Sequence, residues 1–216
     1  MSGDDGLTVV AAFDVDGTLT RRDCVVPFLV RSVGWLRLLR IVAARPRLLL
    51  TTALGRGSRD AVKEYVVGSA LREMDATRLS EIGRTFALER ASLWLRDDVV
   101  ARLRWHRAEG HRVVLVSASL RAYLEPFAEH VLGGVDAVLC TDVEYGPDGR
   151  CTGRLAGGNC RGPEKETRLR TWLSGVPAVI WAYGDSEGDR ELLAMADHPL
   201  MVRGLAVTAA PGGGDR

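Results

Sequence analysis

Leu7-Thr8-Val9-Val10-Ala11-Ala12-Phe13-Asp14-Val15-Asp16-Gly17-Thr18 is the stretch from which the rest of the chain reads outward. Its first seven residues are short, apolar and rich in β-branched side chains, which predicts a strand buried on both faces of a parallel sheet. Asp14 and Asp16 then stand where that strand ends. Residues two apart in extended chain point the same way, so both carboxylates can face one pocket outside the carboxyl end of the sheet. Like charges that close call for a counter-charge, and a hard divalent cation with oxygen ligands supplies one. Mg²⁺ needs only one or two carboxylates plus waters and phosphate oxygens. Gly17 lets the chain turn out of the strand. A calcium loop is excluded, because its sixth and twelfth positions hold Leu19 and Val25 instead of Gly and Glu. A polar turn that merely ends a strand would look the same. The later strand ends decide between the two.

Composition sets the frame. A chain of 216 residues with 46% hydrophobic and 26% charged residues holds one core of good size plus an insertion. A formal net charge of +1 gives no global reason to expect nucleic-acid binding. The longest stretch free of Asp, Glu, Lys and Arg, Thr171 to Gly184, is too short to cross a bilayer. Met1 to Gly6 do not resemble a secretion signal, so a cytoplasmic location is expected. Cys24, Cys140, Cys151 and Cys160 lack Cys-x-x-Cys spacing and read as separate reduced thiols. The four histidines likewise form no zinc pattern. Only Lys63 and Lys165 are lysine and neither follows glycine, which excludes a Walker-type phosphate loop.

From Arg22 to about Arg96 the spacing is helical. Leu79, Ile82, Phe86 and Leu93 recur on one face after the capping residues Met74 to Thr77. Trp35, Leu39 and Val42 fall on one face of an earlier helix that Pro46 should end, and their packing between helices is the expected use of that face. Between Cys24 and Arg59 there are seven arginines and no acid, read first as a solvated basic face and second as a surface for anionic lipid or substrate. From Asp97 helix and strand alternate. Asp97 and Asp98 open a helix that Gly110 closes, and Arg112 to Val116 form a buried strand ending in Ser117-Ala118-Ser119. A helix to Leu132, a strand to Cys140 and a hairpin around Gly146-Pro147-Asp148-Gly149 follow. After a helix carrying Lys165, the strand Pro177 to Tyr183 ends in Gly184-Asp185-Ser186-Glu187-Gly188-Asp189, and Pro199 to Val202 is a last strand. The expected fold is α/β, a doubly wound Rossmann-like parallel sheet with an inserted all-helical cap and a small β-hairpin. Its boundaries are a core of residues 1–21 and 97–210, a cap of 22–96 and a disordered tail of 211–216.

Polar clusters thus close three strands: Asp14 with Asp16, Ser117 with Ser119, Asp185 with Asp189. With Asn159-Cys160-Arg161-Gly162 shortly before Lys165, and the helical insertion after the first strand, this order resembles the haloacid dehalogenase superfamily of phosphatases and its phosphoserine-phosphatase-like branch. The resemblance covers nearly the whole chain. It implies a Mg²⁺-dependent phosphatase in which Asp14 takes the phosphoryl group as an aspartyl-phosphate. Asp16 would protonate the leaving alcohol, then deprotonate water, and its backbone carbonyl would bind the metal. Asp14 and Asp185 would supply carboxylates to Mg²⁺, with Asp189 orienting the metal's waters. Ser117, the N–H of Ala118 and Lys165 would stabilise the phosphoryl charge.

Gly184-Asp185-Ser186-Glu187-Gly188 also spells Gly-x-Ser-x-Gly, so a serine esterase using Ser186 is a rival, weakened by the few residues left for the remaining triad. A silent phosphate-binding protein on the same fold is another. Phosphoserine phosphatases carry Glu nine residues after the nucleophile and Asn before the final Asp. Here stand Asp23 and Gly188. Arg56 and Arg59 lie near the cap position that contacts substrate carboxylate in that family. The expected partner is a small soluble phosphorylated metabolite, phosphoserine-like or histidinol-phosphate-like. The alternative is a lipid phosphate, such as phosphatidylglycerophosphate, met by peripheral contact with the membrane.

Overall fold

The computed structural model describes residues 8–54 and 58–211. Arg56 and residues 212–216 of the expected tail lie outside the described residues. Six strands form one sheet in the order β4-β3-β2-β1-β5-β6. They are β1 Thr8–Phe13, β2 Arg112–Leu120, β3 Ala137–Tyr145, β4 Cys151–Ala156, β5 Ala178–Gly184 and β6 His198–Met201. Every neighbouring pair is parallel except β3 with β4, the expected hairpin. The strand after the first returns on one side of β1 and the fifth on the other, so β1 lies at the switch point where an open α/β sheet makes its crevice. Phe13 pairs with Leu115 on β2 and Tyr183 on β5, which brings Asp14, Ser117 and Asp185 to nearly the same level.

The alternation of β1 supplies both cores. Ala11 and Phe13 join the cluster containing Phe28, Leu115 and Tyr123, while Val10 and Ala12 join the one with Val116, Leu169 and Leu192. A strand with apolar residues on both faces can sit only between two layers. Among the described residues, five α-helices occupy the chain between β1 and Asp97: α1 Val25–Val33, α2 Trp35–Ala43, α3 Pro46–Ala53, α4 Arg59–Leu71 and α5 Ala76–Glu89. The segments that leave and rejoin the sheet lie side by side. Arg21 N donates to Trp94 O at 2.7 Å and Arg96 N to Leu19 O at 2.9 Å. The remaining helices are α6 Asp97–Ala108, α7 Arg121–Pro126, α8 Pro163–Leu173 and α9 Arg190–Ala194.

Three local expectations change. Pro46 does not end a helix; α2 stops at Ala43, and Pro46 opens α3 at the first helical position, where its missing N–H costs nothing. Leu93 is 74% exposed, because α5 ends at Glu89 and a 3₁₀ turn, Ala91–Trp94, breaks the phase that would bury it. Most consequential is α2. Its buried residue is Leu38, whereas Trp35 and Leu39 are 60% and 52% exposed. Tyr65 of α4 donates to Ile41 O at 3.0 Å, fixing α2 by its other side. The Trp35, Leu39 and Val42 face is not packed between helices.

Candidate active site

Asp14 extends β1 by one residue and is almost fully buried. The following turn closes on the Val15 carbonyl, which accepts from Thr18 N and Thr20 N at 3.1 and 2.9 Å. Gly17 takes φ +87°, and a Cβ there would stand 2.3 Å from Asp185 Oδ2. Only glycine leaves room for that carboxylate.

Lys165 is the third residue of α8 and only 2% exposed. Its ammonium donates to Asp14 Oδ1 and Asp189 Oδ1, both at 2.5 Å. Burial opposes that charge, yet the two carboxylates outweigh it and hold the lysine protonated well above its ordinary range. Asp189 spends its other oxygen on Asp185 N, Ser186 N and Ser186 Oγ at 3.0–3.1 Å. A carboxylate so occupied fixes the loop instead of reaching outward. Asp185 is only partly buried, and burial together with Asp14 and Asp189 pushes its carboxyl up to about 6.

Carboxylate oxygens of Asp14, Asp185 and Asp189 lie within 4.8 Å of one another. An all-oxygen donor set, with space preserved by Gly17, fits Mg²⁺ and does not fit a soft-ligand metal. Asp16 is placed differently. Its Oδ1 accepts from Cys24 N at 3.0 Å and its Oδ2 from Ser119 Oγ at 2.8 Å, so the loop into α1 and the end of β2 both aim it. Burial, reinforced by Asp23 and Asp14, raises its carboxyl to about 7.

Asp14, Asp16, Ser117, Ala118, Lys165, Asp23 and Arg59 all line one cavity of about 550 Å³, as do Asp189 and Ser186. Ser117 Oγ accepts from Ser119 N at 3.1 Å. Asp23 accepts from Val25 N and Val26 N at 3.0 and 3.2 Å, so it caps the start of α1. Ser186 hydrogen-bonds a carboxylate and, among the described residues, no histidine. That arrangement leaves it without a base.

The sequence reading passed over Lys63 except as a lysine outside a phosphate loop. On α4 it donates to the Ala118 carbonyl and, at 2.8 Å, to Asn159 Oδ1. Asn159 Nδ2 in turn donates to Asp60 Oδ1 at 2.6 Å. Burial lowers Lys63 to about 8 against the pull of Asp16, Asp23 and Asp60. Its partner stands 96 residues away in sequence, so no local spacing points to it.

A mostly parallel α/β sheet with acidic groups gathered at its switch point has them where ligands of such sheets bind. A family model for haloacid dehalogenase-like hydrolases matches residues 11–194, and the chain belongs to that family. It is 35% identical over 192 residues to protein CicA of Caulobacter vibrioides, covering 88% of this chain and 83% of that one. Histidinol-phosphatase of Neisseria meningitidis serogroup C is 29% identical over 103 residues, 45% of this chain and 46% of its own. A phosphoserine phosphatase solved with a phospho-aspartyl intermediate analogue superposes with a TM-score of 0.58 at 16% identity, over 88% and 84% of the two chains. The fold is shared with phosphoserine phosphatases, and the chain is a hydrolase of the haloacid dehalogenase-like family.

Proposed function

We propose that the protein is a Mg²⁺-dependent phosphomonoesterase acting through an aspartyl-phosphate on Asp14, with residues 1–21 and 97–210 as the catalytic core and 22–96 as the cap over it. The observation that carries this is the buried Lys165 held 2.5 Å from both Asp14 and Asp189 at the switch point of the sheet. With Asp14 Oδ1 engaged by Lys165, its second oxygen is the one to attack phosphorus. The new O–P bond forms as the ester P–O bond breaks. Asp16, aimed by Cys24 N and Ser119 Oγ and raised toward neutrality, gives its proton to the departing alcohol oxygen. It then takes a proton from the water that cleaves the aspartyl-phosphate, releasing inorganic phosphate and restoring both carboxyl groups. Asp14, Asp185 and the Asp16 carbonyl would hold the metal, with Asp189 steadying Asp185 through its backbone N–H. When bound there, Mg²⁺ supplies positive charge against the phosphoryl oxygens. Ser117 and the Ala118 N–H, lining the same cavity, would donate to those oxygens.

Asp14→Asn should lower turnover of p-nitrophenyl phosphate on the order of a thousandfold or more while the far-UV spectrum and melting cooperativity persist. Appreciable residual turnover would remove Asp14 as nucleophile. Exhaustive chelation should abolish activity without unfolding, and Mg²⁺ should restore it. Activity that survived chelation, or returned with Zn²⁺ alone, would reject the metal assignment.

A further inference from the structure

The cavity above Asp14 has two unlike halves. Its floor is polar, but its wall is built by Val26 and Leu29 of α1, Trp35, Leu39 and Val42 of α2 and Val66 of α4. The leaving group of phosphoserine or histidinol phosphate carries charged or hydrogen-bonding atoms, and such atoms on an apolar wall lose their water without recompense. Three of the charged residues that line the cavity are already engaged, and Arg59 and Arg161 line it beside them. Asp23 caps α1, while Lys63 and Asp60 are bound to Asn159. A wall of this kind fits hydrocarbon.

That wall runs out onto the surface. Trp35 and Leu39 line the cavity and are nevertheless exposed, and Leu36 on α2, Leu50 on α3 and Leu54 just after it are 70%, 60% and 61% exposed. Single exposed apolar residues are ordinary, but a group of this size on two consecutive helices marks a contact surface. The same helices carry exposed Arg37, Arg40 and Arg47, with no acid between Cys24 and Arg59. A second copy meeting this face about a twofold axis would bring together two acid-free, arginine-bearing stretches with no carboxylate of α1 to α3 to pair them. An acidic protein would answer the arginines but would not fill the apolar wall. A bilayer of anionic lipid does both, with arginines at the headgroups, Trp35 at the interface and leucines among the acyl chains.

We propose that α2 and α3 rest on an anionic membrane and that the substrate is a phosphomonoester of a lipid, its phosphate over Asp14 and its acyl portion along the α1–α2–α4 wall toward the bilayer. The proposal rests on the phosphomonoesterase reading of the site. It is tested with phosphatidylcholine vesicles with and without phosphatidylglycerol, and with phosphatidic acid and phosphatidylglycerophosphate in vesicles beside phosphoserine, histidinol phosphate and p-nitrophenyl phosphate. The protein should float with the anionic vesicles only, be released by high salt, and show at least a tenfold higher kcat/KM toward a lipid phosphate than toward either soluble metabolite. Leu36→Glu/Leu50→Glu, two exposed positions that do not line the cavity, should abolish flotation and lower lipid turnover tenfold or more, with p-nitrophenyl phosphate turnover kept within twofold.

Absence of flotation, or a preference for a soluble metabolite, would overturn the inference while aryl phosphate hydrolysis still upheld the phosphatase. Loss of hydrolysis of every phosphomonoester would instead reject the phosphatase reading. A dimer in size-exclusion chromatography that the double variant dissociates would assign the face to a second copy and likewise overturn the membrane.

Discussion

Gly17 shows how much of the candidate site rests on one missing methyl group. Its φ of +87° and the 2.3 Å approach of Asp185 to its would-be Cβ mean that alanine would both strain the turn and push the Asp185 carboxylate away from Asp14. Gly17→Ala should therefore weaken Mg²⁺ on the order of a hundredfold, a loss comparable to removing a group that orients a metal ligand. Mg²⁺-dependent thermal stabilisation is the direct measurement, since a ligand bound only by the folded state raises its melting temperature. An unchanged Mg²⁺ midpoint would show that Asp185 takes no part in holding the metal. At this scale the sequence was informative where chemistry and position coincide. Asp14, Asp16, Ser117 and Asp185 follow apolar runs, and polar residues that recur at the ends of three strands are hard to explain as mere turns. Lys63 and Asp60 were not legible, because each gains meaning only from Asn159 on a distant element.

Elements bring those partners together by close approach. Near its carboxyl end, α4 crosses β4 with Gly68 against the Gly153 carbonyl, where a Cβ would stand 2.0 Å from the oxygen. Nearer its other end the same helix carries Asp60 and Lys63 to Asn159. Gly68→Ala must part α4 from β4, and forcing extra volume into such a contact costs about 2 kcal/mol. For a chain of this size that lowers the melting temperature by roughly 4–8 °C, and a thermal melt of the purified variant checks it. A melting temperature equal to that of the parent would mean that α4 is free to move away from β4. Periodicity located α2 and α5 but could not say which neighbour covers each face. For α2 the apolar spacing was correctly read, yet Leu38 is the residue covered, while Trp35 and Leu39 open to the cavity and to solvent. A helical pattern defines a face; only the arrangement of the other helices decides whether that face is core, pocket or contact surface.

Across the whole molecule, net charge was the least informative quantity. A total of +1 conceals an arginine-rich helical stretch and a catalytic pocket crowded with carboxylates. What the totals also hide is a polar cluster packed beneath the pocket. Phe13, the last residue of β1, and Tyr183, the last but one of β5, stack at 4.3 Å, and Tyr183 Oη meets Arg102 Nη1 at 3.1 Å and His106 Nε2 at 2.7 Å. His106 Nδ1 shares a hydrogen bond with His111 Nδ1 at 2.8 Å. Burial, aided by His111 and Arg102, pushes His106 down to about 3, so the folded protein keeps it neutral where the unfolded chain protonates it below about 6.5. As pH falls from 6.5 toward 3, the unfolded state binds a proton that the folded state refuses, and stability declines by at most about 1.4 kcal/mol per pH unit from this group. The loss is complete only near pH 3. His106→Gln can still bond Tyr183 but cannot titrate. It should lower stability at pH 7.5 through imperfect packing, while its urea midpoint should fall less steeply between pH 6.5 and 4.5 than that of the parent. Parallel slopes would show that His106 accepts a proton in the folded state, and the neutral cluster under the catalytic strands would have to be abandoned.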